Sequence, residues 1–136
     1  MTNILFFLTP KKNVAYIEED FSIRQTIEKL EYYHYSAIPI IDSKGCYIGT
    51  ITEGDVLWYL KEHKDLDLLD IEKINVLKIK RRRDNKAIST LEKIENLFEL
   101  AINQSFVPVV DDLGRFIGIV TRKAILSYFK DNYVEK

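Results

Sequence analysis

Apolar residues along this chain follow two repeated patterns, one typical of buried strands and one typical of amphipathic helices. Near-continuous apolar runs over Ala37–Ile41 and residues 107–110 suit strands that are buried on both faces. Each run is followed by Asp-x-x-Gly, which favours a turn, and then by a second apolar run over Tyr47–Thr52 or Phe116–Thr121. The pattern therefore predicts two β-hairpins.

Helical spacing of apolar residues precedes each hairpin, over residues 22–33 and residues 94–102. Ahead of these helices, residues 14–17 and 86–89 have the length and composition of short strands. Each half of the chain is therefore expected to enter its hairpin through one strand and one helix.

A further helix is expected after each hairpin. Thr52 and Thr121 stand where the N-cap residue of a helix belongs, ahead of apolar residues at 56–60 and 125–129. Each half of the chain is thus predicted to be a β-α-β-β-α unit, and the predicted fold class is α/β (α+β).

The two predicted units are copies of one sequence. Residues 36–61 align with residues 105–130 without a gap, and ten of the 26 aligned positions are identical. Such self-similarity defines the units of a fold. We therefore expect a first unit over 1–62, a connecting segment with some helix over 63–77, and a second unit over 78–136, together forming one compact module.

Composition and charge exclude several function classes. The 136 residues are 46% hydrophobic and 30% charged, as in ordinary globular domains. The net charge of −1 argues against nucleic acid or an anionic membrane as the main partner. The single cysteine, Cys46, excludes an intrachain disulfide framework and a Cys-rich zinc site. The apolar run at 4–8 is too short for a membrane span or a signal peptide, so we expect a buried first turn or strand and a cytoplasmic protein.

Catalytic and metal-ligating constellations are not expected. His34 and His63 are isolated from each other and from carboxylates at ligand spacing. No Ser-His-Asp or Cys-His set has a spacing that favours catalysis, so the chain is not expected to be an enzyme. Several aromatic residues are expected in the core and at interfaces: Tyr32, Tyr33, Tyr35 and Trp58.

The repeated segments resemble the cystathionine-β-synthase (CBS) domain family. Its members show small-x-Pro-apolar-apolar-Asp-x-x-Gly, followed by Gly-x-x-Thr/Ser-x-x-Asp at the start of the last helix. The first copy matches both motifs, over residues 36–45 and 49–55. The second copy keeps Gly118 and Thr121 but has Ala124 where the family has an acidic residue. The resemblance implies two units packed sheet to sheet with pseudo-twofold symmetry, and a homodimer formed through helices.

The resemblance also implies nucleotide binding in clefts between the copies. In the family the motif's Asp holds ribose hydroxyls, its Thr lies near phosphate, and the small-x-Pro strand of the other copy lines the base pocket. Carried over, the first cleft would be formed by Thr9, Lys11, Lys12, Val14, Ala15, Tyr35, Ser36, Ala37, Ile38, Pro39, Thr121, Arg122 and Lys123. The second cleft would be formed by Thr52, Asp55, Asn85, Ala87, Ser105, Phe106, Val107 and Pro108.

Side-chain size and charge favour the first cleft. Ala37 leaves room for an adenine ring, whereas its counterpart Phe106 is large enough to fill the second cleft itself. Arg122 and Lys123 place positive charge in the first turn of a helix, where it opposes the helix dipole, so an anionic partner is inferred. A ligand phosphate would supply that charge, as would a carboxylate of residues 18–19 or of a second subunit.

Simpler interpretations stay open for the same residues. Thr52 and Thr121 could only cap their helices, and Asp55 could only be a favourable first-turn charge. The basic run at 78–86 carries six positive charges against one negative. Such a run is typical of a solvated face or a partner-binding loop, with nucleic-acid binding or contact with phosphates in the second cleft as alternatives.

The expected function is regulatory. Residues 12–16, 35–39 and 118–123 resemble stand-alone CBS-pair proteins that sense cyclic di-AMP. We expect a module that binds an adenine nucleotide (AMP, ADP, ATP, S-adenosylmethionine or cyclic di-AMP) and signals to an unidentified protein, with no required cofactor. The alternative is a structural dimerisation module whose clefts are degenerate and unoccupied.

Overall fold

The computed structural model describes residues 3–133 of the chain. These residues divide into two compact units. The central unit comprises Ala15–Asp84, and the terminal unit comprises residues 3–14 together with 85–133. This division differs from the predicted boundaries at 62, 77 and 78, because the first residues of the chain pack with the second copy of the repeat. That the two units form one module stays a prediction.

Both units mix strands and helices, which confirms the predicted fold class. In chain order the elements are β1 (Thr9–Pro10), β2 (Ile17–Glu18), α1 (Ile23–Tyr33), β3 (Ala37–Ile41), β4 (Tyr47–Thr52), α2 (Glu53–Glu62), α3 (Leu68–Ile71), β5 (Ile88–Ser89), α4 (Ile94–Asn103), β6 (Phe106–Val110), β7 (Phe116–Thr121) and α5 (Arg122–Asp131). Short 3-10 helices cover Ile4–Phe7, Lys11–Asn13 and Val76–Lys78. Among the described residues, no helix has the length and hydrophobicity needed to cross a membrane.

The central unit is built on a three-stranded sheet in the order β2-β3-β4. β2 runs parallel to β3, and β3 and β4 form the predicted antiparallel hairpin. Ile38, Ile40 and Ile51 are fully buried at the centre of its core, where Ile23 of α1 joins them. Burial of these branched side chains is the main stabilising contribution of the unit.

The terminal unit holds a four-stranded sheet in the order β1-β7-β6-β5. β6 and β7 form the second predicted hairpin, and β1 pairs antiparallel with β7, with Thr9 opposite Ile119 and Pro10 opposite Gly118. The opening apolar run forms the predicted first turn, since it is a 3-10 helix with Ile4 and Phe7 buried in this unit's core.

The two hairpin turns are fixed by the same chemistry. The Oδ1 atom of Asp42 accepts hydrogen bonds from the backbone N–H groups of Lys44 and Cys46, both at 2.9 Å. Asp111 does the same for residues 113 and 115 in the second copy. The turn glycines adopt the left-handed conformation that favours glycine, with φ of 85° at Gly45 and 81° at Gly114.

One prediction about the core is wrong. Tyr32, Tyr33 and Trp58 are exposed, because they lie away from the faces that α1 and α2 bury. Tyr35 does pack against the core of the central unit. The three exposed aromatic residues are therefore available for contacts at the surface, and their expected role at interfaces stays a prediction.

Candidate functional site

The motif residues of the first copy lie at the start of α2 in the central unit. Thr52 Oγ1 accepts a hydrogen bond from Asp55 N at 3.0 Å, and Asp55 Oδ2 accepts one from Thr52 N at 3.1 Å. This reciprocal pair is a capping box, which satisfies two N–H groups that the first turn of a helix leaves unpaired. The predicted N-cap role of Thr52 is therefore confirmed.

Asp55 makes a second contact that the sequence did not indicate. Its Oδ1 atom accepts a hydrogen bond from Arg82 N at 3.1 Å, and only 3% of the residue is exposed. Both carboxylate oxygens are therefore occupied by backbone N–H groups of the central unit. This geometry favours a structural role for Asp55 in holding the chain at residue 82 beside α2.

A second carboxylate holds the same stretch of chain against β4. Asp84 Oδ1 accepts hydrogen bonds from Thr50 N at 2.9 Å and from Arg81 Nε at 2.8 Å. Burial alone would raise the pKa of Asp84, but these bonds outweigh it and hold the pKa below its usual range. Beside them, burial raises the pKa of Tyr47 to about 12, so its phenol stays protonated at neutral pH. Part of the basic run is thus neutralised within the central unit.

The second copy of the motif begins α5 in the terminal unit. Thr121 Oγ1 accepts a hydrogen bond from Ala124 N at 3.1 Å, which confirms the predicted N-cap. Arg122 has an unexpected partner, since Nε donates to the Ala101 carbonyl at 2.7 Å and Nη2 to the Ile102 carbonyl at 3.1 Å. In this structure, backbone carbonyl groups at the end of α4 therefore take the place of the anionic partner that was inferred for Arg122. Lys123 is exposed.

The terminal unit brings together residues that are more than a hundred positions apart. Because β1 pairs with β7, it places Thr9 beside Ile119, two residues before Thr121. Lys11 and Lys12 follow β1 directly, in a 3-10 helix that contacts β7. The residues predicted for the first cleft that lie in this unit are Thr9, Lys11, Lys12, Val14, Thr121, Arg122 and Lys123. Those in the central unit are Ala15, Tyr35, Ser36, Ala37, Ile38 and Pro39.

Two of the predicted second-cleft residues, Asn85 and Phe106 of the terminal unit, are hydrogen-bonded to each other. Asn85 Nδ2 donates to the Phe106 carbonyl at 3.0 Å. The buried side chain of Gln104 accepts from Lys86 N at 2.7 Å and donates to the same Phe106 carbonyl at 3.2 Å. Gln104 gave no signal in the sequence, because a single amide near a helix end has no motif. These bonds set the start of β6, and Phe106 is 7% exposed.

Three of the predicted cleft residues belong to the hydrophobic cores. Ala15 and Ile38 lie in the core of the central unit and Val107 in that of the terminal unit, and Ile38 and Val107 are fully buried. Their side chains are therefore committed to packing, and only their backbone groups are candidates for contact with a ligand. Among the described residues, no group of three His, Cys, Asp or Glu side chains is placed to hold a metal ion.

The arrangement described above is that of a known family. Residues 7–62 and 82–131 each match the model of the CBS domain, and the chain belongs to this family. Over 116 aligned residues it is 28% identical to inosine-5'-monophosphate dehydrogenase of Methanocaldococcus jannaschii. The aligned region covers 85% of this chain and 22% of that enzyme. The chain spans about a fifth to a third of the length of the first curated relatives it matches. CBS-pair modules are regulatory.

Solved structures show the same fold in chains of similar length. A CBS domain protein from Streptococcus pneumoniae has a TM-score of 0.82 and 29% identity, with 93% of this chain and 86% of that chain covered. CbpB of Listeria monocytogenes, in complex with c-di-AMP, has a TM-score of 0.81 at 22% identity, with 94% and 95% covered. CBSX2 in complex with AMP has a TM-score of 0.75 at 21% identity, with 96% and 98% covered. These likenesses establish the CBS-pair fold.

Proposed function

We propose that this protein is a cytoplasmic regulatory module that binds an adenine nucleotide and transmits its occupancy to a partner protein. The observation that carries the proposal is the tandem match to the CBS domain over 7–62 and 82–131. Proteins of this fold have been solved with c-di-AMP and with AMP. AMP, ADP, ATP, S-adenosylmethionine and c-di-AMP are accordingly the candidate ligands, and no other cofactor and no catalytic step is proposed.

The residues predicted for the first cleft are the preferred ligand contacts. In the terminal unit, the 3-10 helix that follows β1 presents Lys12 and α5 presents Lys123 as exposed cations, and both suit a phosphate-bearing ligand. Asp55, by contrast, has both oxygens engaged by backbone N–H groups. A ligand that needed Asp55 would have to displace one of these bonds, which supports the preference for the first set of residues.

Signalling follows if the nucleotide binds one arrangement of the protein better than another. A ligand shifts a conformational equilibrium only by its difference in affinity for the two states. Nucleotide binding and partner binding would then be linked reciprocally, so a partner that prefers the bound state also raises the affinity for the nucleotide.

A thermal-shift panel of the five candidate ligands tests the proposal. A ligand at a hundredfold excess over its Kd is expected to stabilise the folded protein by about 2.7 kcal/mol. That corresponds to a rise in Tm of roughly 10 °C for a chain of this size. GTP and cyclic di-GMP at the same concentration serve as controls for the adenine base. A panel in which no adenine nucleotide raises Tm contradicts the proposal.

Charge-removing variants test the choice of residues. We expect Lys12→Gln with Lys123→Gln to weaken nucleotide binding about tenfold, because each exposed cation contributes a fraction of a kcal/mol up to about 1 kcal/mol. Lys44→Gln with Lys93→Gln removes the same charge from other exposed positions and should leave affinity unchanged. If Asp55→Ala abolishes binding while Arg122→Ala does not, the preference for the first cleft is wrong.

A structural dimerisation module is the second candidate function, and one surface favours it. Helices α4 and α5 of the terminal unit enclose an apolar groove of about 360 Å³, on which Ile102, Leu126 and Phe129 are exposed. Leu126 alone is 66% exposed, and an apolar patch of this kind marks interfaces. A homodimer formed through this face is compatible with either candidate function.

Sedimentation velocity tests the interface, and together with the nucleotide panel it separates the two candidates. We expect a dimer that Leu126→Glu converts to a monomer, because the substitution buries a carboxylate in the interface. Ser127→Glu, at an exposed neighbouring position of α5, is the control and should remain dimeric. A dimer with no response to any nucleotide would favour the structural module, and a wild-type monomer would contradict the proposed interface.

A further inference from the structure

A basic groove runs along α2 in the central unit. It is separate from the residues preferred for nucleotide contact, although Asp55 of the predicted second cleft is among its lining residues. It is open, has a volume of about 660 Å³, and lies between α2 and residues 78–82. Its cations are Lys78, Lys80 and Arg82, and its aromatic wall is formed by Trp58, Tyr59 and His63. The sequence showed the cations but not the aromatic wall, because Trp58 and Lys78 are twenty positions apart.

The backbone segment that carries these cations is held in place by core packing and hydrogen bonds. Val76 and Ile79 on either side of Lys78 are buried in the core of the central unit. Asn75 Oδ1 accepts from Leu77 N at 2.7 Å, and Arg82 N is bound by Asp55. The segment is thus held at both ends and along its length. A partner would not have to order it, and such preorganisation raises affinity.

The positive charge of the groove is not balanced from within. In the part of the chain that the structure describes, Lys78, Lys80 and Arg82 form no ion pair, whereas Arg81 next to them is paired with Asp84. Glu62 is the exposed carboxylate in the lining, and Asp55 is buried with its oxygens engaged. Three like charges held side by side attract an anionic partner.

The aromatic wall indicates which kind of anion fits. Lys61 Nζ lies 5.3 Å and Arg82 Cζ 5.8 Å from the centre of the Trp58 ring. Because these cations already contact the ring, it is not available for stacking with a nucleic-acid base. Tyr59 is stacked on His63 at 4.1 Å. Glu62 would repel a dense polyphosphate more than it would repel spaced carboxylates. A peptide can place its carboxylates on the cations and its apolar side chains against the edge of Trp58.

We propose that the basic groove docks an acidic segment of a partner protein. The inference rests on the proposed function and deepens it, because it identifies the surface through which the module contacts the protein it regulates. A typical protein interface combines an aromatic or arginine anchor with charge complementarity, and Trp58 with Arg82 supplies such an anchor. Complementary charge also speeds association and selects the partner.

Tryptophan fluorescence of the full chain tests this proposal directly, because Trp58 is its single tryptophan. We expect a hexaglutamate peptide to change the Trp58 emission in a saturable way. The affinity should fall steeply between low salt and 1 M salt, where the Debye length shrinks to about 3 Å. A titration without any change in emission or in peptide anisotropy overturns the proposal.

A matched pair of variants checks the location. Lys78→Gln with Lys80→Gln and Arg82→Gln should weaken hexaglutamate binding about tenfold or more. Lys44→Gln with Lys93→Gln and Lys130→Gln removes the same number of exposed charges elsewhere and should bind like the wild type. Equal weakening of hexaglutamate binding in both variants would overturn the assignment of the binding site to the groove. Should the groove variant fail to fold, Lys80→Gln alone is expected to weaken binding about threefold.

Two further arms separate the competing occupants. Tighter binding of tripolyphosphate or of an oligothymidine than of hexaglutamate would overturn the assignment to an acidic protein segment. If the wild type self-associates, the groove variant does not, and no peptide binds, the groove would be assigned to a second copy of the chain. That result would overturn the proposal of an acidic partner segment. The nucleotide panel is independent of both arms. The groove variant should keep the rise in Tm with nucleotide, and the Lys12→Gln, Lys123→Gln variant should keep its affinity for hexaglutamate.

Discussion

Replacing Gly118 with alanine is expected to lower the free energy of unfolding by about 3 to 5 kcal/mol. A Cβ at this position would lie 2.2 Å from the Thr9 carbonyl oxygen and 3.1 Å from the Pro10 Cα. Both are backbone atoms of β1, so they cannot move without breaking its pairing with β7. The φ of 155° at Gly118 adds strain for any residue with a side chain.

The repeat supplies matched controls for this substitution. Gly49 is the equivalent residue of the first copy, and a Cβ there would meet the Asp84 Oδ1 at 2.7 Å and the Arg81 Nη2 at 2.8 Å. These are ends of side chains that can rotate away, at the loss of the Asp84 hydrogen bonds to Thr50 N and Arg81 Nε, so Gly49→Ala should cost about 1 to 2 kcal/mol, less than Gly118→Ala. Gly114→Ala, with nothing within 4 Å and a φ of 81°, should show the cost of backbone strain alone, about 1 kcal/mol.

Urea unfolding of the three variants measures these costs, and the nucleotide panel measures their consequence. Because Gly118→Ala pushes β1 away from β7, it should also displace Lys11 and Lys12 and abolish the response to nucleotide. Gly49→Ala should keep that response. A Gly118→Ala protein as stable as Gly49→Ala would contradict the close approach of β1 to β7.

Local pattern predicted most of this fold, and long-range pairing accounts for what it missed. The second strand of each hairpin, Tyr47–Thr52 and Phe116–Thr121, has the predicted bounds, because strand alternation and turn chemistry are encoded in neighbouring residues. β1 has two residues, one of them proline, and forms only because β7 offers an edge more than a hundred positions later. No local signal could have assigned residues 3–14 to the terminal unit.

The candidate site shows the same division between local and distant information. The sequence correctly predicted that Thr52 and Thr121 cap their helices, since a cap depends on residues within one turn. It did not indicate that Arg122 would bind carbonyls of α4, or that Asp55 would bind residue 82. The partners in both cases lie at least twenty positions away. A charge in a motif is therefore a candidate for ligand binding only after its partners within the protein have been identified.

Replacing Asp55 with alanine is expected to lower the free energy of unfolding by about 2 to 4 kcal/mol. The loss of the capping box costs about 1 kcal/mol, and the N–H groups of Thr52 and Arg82 lose their acceptor in a site that water reaches poorly. Asp55→Asn keeps an acceptor oxygen and should cost about half as much. Urea unfolding at pH 7, with an unchanged m-value, measures both effects.

The exposed helix α3 provides the control for burial. Asp70 forms the same capping box there, since its Oδ2 accepts from Asp67 N at 2.9 Å, but it lies at the surface. Water replaces the lost acceptor in Asp70→Ala, so this variant should cost less than about 1 kcal/mol. Equal costs for Asp55→Ala and Asp70→Ala would show that the bond to Arg82 contributes nothing to stability.

The Asp55→Ala variant also decides whether Asp55 contacts the ligand or only stabilises the fold. If Asp55 mainly holds α2 and residues 81–84 in place, Asp55→Ala should be less stable yet show the same rise in Tm with nucleotide as the wild type. The measurement must compare the rise at equal saturation, because a destabilised protein starts from a lower Tm. A normal stability with a lost nucleotide response would instead assign Asp55 to the ligand, and the second copy, with Ala124 at the equivalent position, would then lack that contact.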